Sequence, residues 1–227
     1  MQSAMPADIA IRDLGCMPYR EALDLQILLQ TQLKEAKLSG STGQEALLLV
    51  EHPHVYTLGR HGKRDNRLVS PSRLASIGAE LVDVGRGGDI TYHGPGQLVA
   101  YPILDLERHA LGIKAYVDML EESVIRTIAE FGIKGQRVEG ATGVWIDKDK
   151  PEERKICAIG VACSRYVTMH GLALNVNTDL QMFSAINPCG FIDKGVTSIA
   201  YELGHKVNFD SIKTLFSNIF LALLKKK

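Results

Sequence analysis

The sequence predicts a single α+β domain, with strands in the middle of the chain and helices covering them. Leucine and isoleucine recur at helical spacing in three separated stretches, and short β-rich apolar runs fill the ground between them. No internal repeat and no low-complexity or Pro/Ser-rich linker interrupts the 227 residues, a length that suits one well-cored domain better than two.

Residues 18 to 38, PYREALDLQILLQTQLKEAKL, read as the first helix, with a proline start and leucines three and four apart. Ser39-Gly40-Ser41-Thr42-Gly43 ends it. ALLLVEHPHVYTLG then supplies a buried strand and a second short one around Val55-Tyr56, divided by a proline suited to a loop or sheet edge. Ile113, Tyr116, Val117, Leu120, Val124 and Ile128 mark a second helix, stopped by Gly132. Short strands follow at Gly143 to Asp147 and Lys155 to Ser164, joined by a polar hairpin loop, and a longer strand runs from Val167 to Val176. The last helix is expected from Asp210 as N-cap to Leu224, with a lysine tail that complements its dipole.

Composition excludes several classes of function. The chain carries 26 Lys and Arg against 26 Asp and Glu, so the basic excess of a nucleic-acid protein is missing. No apolar run approaches a membrane span, and MQSAMPADIA lacks the regions of a secretion signal, which points to the cytoplasm. Four cysteines at 16, 157, 163 and 189 form no CxxC, and that compartment argues against disulfides. His52, His54, His61, His93 and His170 fall in no HExxH or paired metal-ligand spacing, so no metal site is expected.

Chemistry concentrates in two places. Arg86-Gly87-Gly88-Asp89-Ile90-Thr91-Tyr92-His93-Gly94-Pro95-Gly96-Gln97 is too rich in glycine for a helix. Backbone without Cβ lets a ligand approach closely, while Thr91, Tyr92 and His93 offer donors and an aromatic wall. The run matches neither the phosphate loop nor the dinucleotide fingerprint. The second place pairs Lys155, in RKICAIGVACS, with Cys189, in Asn187-Pro188-Cys189-Gly190, 189 − 155 = 34 positions on. A cation beside a thiol lowers its pKa from ~8.5 and supplies the thiolate that attacks acyl groups. Cys157 competes for the role of nucleophile, because residues two apart on a strand share a face. Loops carry reactive groups more often than mid-strand positions do, which favours Cys189 and leaves Cys157 as a core or pocket-wall residue.

RGGDITYHGPGQ, KICAIG, MHGLALNVN and INPCG, in that order and spacing, resemble the octanoyltransferases of lipoate biosynthesis. The resemblance runs from about Glu51 to Gly190. It implies a biotin/lipoate protein ligase-like fold, a mixed and largely antiparallel central sheet flanked by helices. It also implies transfer of an octanoyl or lipoyl group from acyl carrier protein to a lysine of lipoyl domains, on 2-oxoacid dehydrogenase E2 subunits or the glycine-cleavage H protein, without a cofactor. Carried over by position, the acyl-thioester nucleophile is Cys189 and the lysine that activates it is Lys155. Substrate-binding segments fall on Arg86 to His93, on Ala158, Ile159 and Gly160, and on Gly171, Leu172 and Ala173. Apart from the resemblance, His170 is a candidate for polar support beside them. Arg60, Lys63, Arg64 and Arg67 crowd one loop that suits an acidic carrier protein. The rival readings are an ATP-dependent lipoate or biotin ligase, which needs no cysteine nucleophile, and a non-catalytic relative of the fold.

Overall fold

The computed structural model describes residues 9–60, 62, 66, 68, 70–186 and 195–225. Strand β1 (Ala10–Cys16) leads into helix α1 (Tyr19–Leu38), whose N-cap position is Pro18 and whose inner stripe is Tyr19, Ala22, Gln26, Leu29 and Leu33. Strands β2 (Ala46–Glu51) and β3 (Val55–Leu58) follow on either side of Pro53, then helix α2 (Pro71–Ser76) and strand β4 (Glu80–Asp83). The glycine-rich run contributes strand β5 (Ile90–His93) and leads by a turn into β6 (Gln97–Ile103). Helix α3 (Ile113–Ala129), strands β7 (Gln136–Val138), β8 (Ala141–Ile146), β9 (Arg154–Ser164) and β10 (Val167–Asn175) come next. A 3₁₀ turn (Leu180–Ala185), strand β11 (Gly195–Val196), helix α4 (Ile199–Leu203) and helix α5 (Phe209–Lys225) complete the described chain.

The three expected helices and the central strands are present, and the architecture is α+β. Several short elements were not expected: β1, α2, β4, β7, β11 and α4 are brief or lie at edges, where hydrophobic periodicity is weak. Two details of the expectation are corrected. Strand β9, expected short, is the longest at 11 residues. Helix α5 is capped two residues earlier, by Asn208, whose Oδ1 accepts from the Ser211 N–H at 2.8 Å, while Asp210 sits inside the first turn and pairs with Lys213.

The large sheet runs β1-β2-β6-β10-β9-β8-β7, with β11 added beside β9. Among the described residues of this sheet only β1 on β2 and β11 on β9 are parallel; the other neighbours are antiparallel. Helices α3 and α5 cover one face, burying Tyr116, Leu120, Val124, Phe216 and Phe220 against Leu98, Leu172 and Leu174. The opposite face meets α1 through Leu29, Leu33, Val99, Tyr101 and Ala173. On that same side lies a small sheet, β4-β3-β5, with its own core of Tyr56, Ile90, Tyr92 and Phe183. Tyr19 at the start of α1 packs on Val55 and Val82 of the small sheet, so the two halves of this layer are joined above the large sheet.

Close approach dictates two glycines. A Cβ at Gly160 would stand 2.8 Å from the Gly87 carbonyl oxygen, and one at Gly171 would overlap the Ala100 carbonyl oxygen. Gly171→Ala is therefore expected to destabilise the fold by about 3 kcal/mol or to prevent folding, because the clash is with backbone that cannot rotate away. Gly195→Ala, whose Cβ would meet among the described residues only Arg154 Cβ at 3.4 Å, should leave the urea midpoint nearly unchanged.

Candidate active site

Between the large sheet, the small sheet and the start of α1 lies a cavity of about 570 Å³, a volume suited to a small organic ligand. Backbone geometry builds its walls. The Gly87 N–H donates to the Val161 carbonyl at 3.0 Å, which ties the glycine-rich loop across β9. Arg86 anchors that loop from below: its Nη2 donates to the Thr57 carbonyl at 2.7 Å and its Nε to Thr57 Oγ1 at 3.2 Å. Ala158, Gly160, Gly171 and Ala173 line the floor, where small side chains leave a slot along the sheet.

Lys155 closes one end. Its Nζ lies 4.4 Å from the centroid of the Trp145 ring and donates to the Thr142 carbonyl at 3.2 Å. An aromatic face and a carbonyl hold an ammonium in place by its charge. Trp145 is itself buried, its Nε1 donating to the Ala141 carbonyl at 2.7 Å.

Strand alternation alone would send Lys155 the wrong way. Cys157 opposes Val144 and Lys155 opposes Trp145, so two steps on β9 match one on β8. That β-bulge at Ile156 re-aims the lysine. Cys157 faces the core under α3 and α5, fully buried, with its thiol pushed far up by burial, whereas Lys155 faces the cavity. The expectation that the two share a face is thus corrected, and the correction removes Cys157 as an accessible thiolate.

His93 and His170 are neutral parts of the wall, and neutral His52 stands beside His93 with ring centroids 5.9 Å apart. His52 donates from Nδ1 to the Met17 carbonyl at 2.7 Å and accepts from Tyr101 Oη at Nε2, 2.9 Å, and burial lowers its pKa to about 4. His93 is held well below its ordinary value by burial and by the neighbouring His52 and Arg86. Its Nδ1 donates to Gln97 Oε1 at 2.8 Å; Gln97 donates on to Asn175 Oδ1 at 2.9 Å, and Asn175 to the Thr197 carbonyl at 2.9 Å. The Thr197 N–H in turn donates to the Lys155 carbonyl at 2.9 Å, so one chain of hydrogen bonds links the glycine-rich strand to the lysine's backbone. His170, also on the wall, has its pKa lowered to about 4 by burial first and by Arg86 and Arg60 next.

Of the residues singled out from the sequence, Lys155, Arg86, Gly87, Gly88, Asp89, Ile90, Thr91, His93, Ala158, Ile159, Gly160, His170, Gly171, Leu172 and Ala173 meet at this one cavity. Tyr92 does not. It packs between Tyr56 and Phe183 with ring centroids 5.2 and 5.3 Å away and bonds His54 Nδ1 at 2.7 Å, so it supports the small sheet instead of walling the slot. Cys189 lies outside the described residues, as do Lys63, Arg64 and Arg67. Sequence reading missed Tyr19, Thr142 and Trp145; the only signal for the last was that it is the chain's single tryptophan.

Comparison with solved structures gives the class. The chain aligns over 96% of its length with an archaeal bipartite lipoate protein ligase from Thermoplasma acidophilum, TM-score 0.70, 18% identity, 84% of that chain. It aligns equally with a lipoate-protein ligase A bound with ATP, TM-score 0.69, 18% identity, 96% of this chain and 86% of that one. These establish the fold of lipoate protein ligases. Residues 18–221 match the lipoyl protein ligase A/B catalytic domain. The octanoyltransferase of Bacteroides thetaiotaomicron is 57% identical over 201 residues, 88% of each chain, and that of Bacteroides fragilis 54% identical over 215 residues, 95% of this chain and 97% of that one. The chain belongs to this catalytic-domain family and, within it, to the octanoyltransferases, which are acyltransferase enzymes.

The neutral histidines carry a pH signature. His52 and His170 drop from 6.5 to about 4 on folding, so below pH 6.5 the unfolded chain binds protons that the fold refuses. Stability should therefore fall with pH across that window, by roughly 2 kcal/mol per histidine between pH 6.5 and 5. Thermal melts at pH 7 and pH 5 check this, and His170→Asn should show a shallower loss by one histidine's share.

Proposed function

We propose that the enzyme moves an octanoyl group from the phosphopantetheine thioester of acyl carrier protein to a lysine of a lipoyl domain, by way of an acyl thioester on Cys189, in the cytoplasm. Lipoyl domains of 2-oxoacid dehydrogenase E2 subunits and the glycine-cleavage H protein are the acceptors this reading names. The observation that carries it is the placement of Lys155 at the end of an apolar slot, with both ends of the cysteine segment tied to the same cavity. Gly195 and Val196 pair with Arg154 and Lys155, and Phe183, three residues before Ile186, lines the wall. Cys189 is three residues past Ile186 and six before Gly195, a tether of at most ~10 Å from one side and ~20 Å from the other.

In the first half-reaction the Cys189 thiolate attacks the thioester carbonyl, and the Lys155 ammonium delivers its proton to the departing pantetheine thiolate. The products are octanoyl-Cys189 and the free carrier thiol. In the second, neutral Lys155 takes a proton from the acceptor amine as it attacks the acyl-enzyme, forming the amide and restoring the thiolate and ammonium. The thioester already carries the activation, so no ATP is consumed. Burial of seven acyl carbons at ~0.8 kcal/mol each supplies ~5 to 6 kcal/mol to hold the chain in the slot.

The relatives above 50% identity and the ligases that share only the fold point to different chemistry, and mass decides between them. Intact-protein mass spectrometry after incubation with octanoyl carrier protein should show an octanoyl adduct with or without ATP; an adduct or product that requires ATP would favour the ligase reading. Cys189→Ala should abolish the adduct and Cys157→Ala should leave it. Lys155→Met should move the pH dependence of iodoacetamide alkylation towards that of a free thiol, near ~8.5. An alkylation profile unchanged by that substitution would separate the lysine from the thiol.

A further inference from the structure

His170 breaks the rules of its strand. Its neighbours on β10 alternate as a strand should, with Leu172 in the core under α3 and α5 and Thr168 bonded to the Pro102 carbonyl at 2.7 Å. Alternation would place His170 with them. Instead its φ is +60°, a left-handed conformation that a histidine adopts at a cost of about 1–3 kcal/mol, and its ring is turned into the cavity wall. Gln26 of α1 holds the backbone there, its Oε1 accepting the His170 N–H at 2.9 Å.

The ring so placed is not satisfied. His170 is 1% exposed, yet among the described residues neither Nδ1 nor Nε2 meets a hydrogen-bond partner, and the Nε2 of buried Gln26 meets none either. Leaving a buried polar group unpaired costs about 1–3 kcal/mol. Strain and an unpaired imidazole at one cavity wall together mark a place built for something other than stability.

Its distance from Lys155 says what. His170 lies opposite Val161, six positions from Lys155 on β9, one of them absorbed by the bulge at Ile156. Five steps at ~3.3 Å separate the two ends of the slot by ~16 Å. An extended octanoyl chain spans ~9 Å from carbonyl carbon to methyl, since its bonds are of ordinary C–C length in a zigzag. Adding ~3 to 4 Å of contact at each end brings the total to ~16 Å. The small residues Ala158, Gly160, Gly171 and Ala173 lie between the two ends.

We propose that His170 is the polar floor of the acyl slot and sets the chain length the enzyme accepts. Resting on the octanoyl-transfer reading, the inference is that eight carbons end just short of the imidazole. Two further methylenes run into the buried ring that closes the slot, and an apolar terminus gives its unpartnered nitrogens nothing in exchange. A chain of eight carbons bearing a hydroxyl at its terminal carbon reaches the ring, turns one of its unpartnered nitrogens to a hydrogen bond and is accepted.

The test measures the rate of acyl-enzyme formation by intact-protein mass spectrometry, using octanoyl, decanoyl and 8-hydroxyoctanoyl carrier protein as donors. Wild type should use octanoyl faster than decanoyl by about tenfold or more, and 8-hydroxyoctanoyl within a few-fold of octanoyl. His170→Gly, which suits the left-handed backbone, should bring decanoyl up to the octanoyl rate and lose the tolerance of the terminal hydroxyl. His170→Asn keeps a polar floor at a lower level and should keep that tolerance. Equal use of octanoyl and decanoyl by wild type would overturn the proposal without recourse to any variant. So would a length preference in His170→Gly identical to that of wild type. Absence of an adduct from every donor on wild type would instead overturn the transfer reading, and this inference with it.

Discussion

A β-strand sends successive side chains to opposite faces, and the strand Arg154–Ser164 has to serve both faces of a sheet whose two sides do different work. One side is a core, closed by helices α3 and α5; the other is the floor of a cavity. The β-bulge at Ile156 lets the strand pass from one duty to the other. Cys157 stays in the core and Lys155, two residues away, enters the cavity. Without that extra residue the ammonium would be driven into apolar packing, where a charge without a partner is expensive. The Trp145 ring and the Thr142 carbonyl would have nothing to hold.

The strand beside it uses a second irregularity to the same end. His170 reaches the cavity through a left-handed backbone, and the residues around it are reduced to Gly160 and Gly171, where carbonyls of the glycine-rich loop and of β6 crowd in. The two departures from alternation sit at opposite ends of the slot. Each costs something locally and is held by well-packed surroundings: the bulge by β8 and β11, the left-handed turn by Gln26 of α1.

Electrostatics follow from the same layout. Among the described residues the cavity wall contains one buried permanent cation, Arg86, and two imidazoles kept neutral by burial, His93 and His170, with neutral His52 beside His93. Neutral histidines add no further charge to the cavity that Lys155 faces. A clamp outside the cavity completes the arrangement. Arg154 makes a bidentate pair with Glu202 of α4 at 2.7 and 2.6 Å and bonds Asp147 at 2.6 Å. It thereby fixes the chain after Cys189 to the strand that carries Lys155.

The sequence by itself determined the helices, the central strands and the segments that wall the cavity, because amphipathic periodicity and glycine-rich runs are local signals. RGGDITYH, AIG and GLA could be read as walls of one site, and in the structure they do meet. What the tertiary structure decided is which way individual side chains point. Lys155 and Cys157 read as neighbours on one face, and Tyr92 read as part of the slot; a bulge paired across β8 separates the first two, and packing against Tyr56 and Phe183 takes away the third. Trp145 reached the lysine only through strand pairing, and His170 entered the cavity only through a backbone angle. Such choices depend on register and on contacts between residues far apart in the chain, and these arise only when the strands pair.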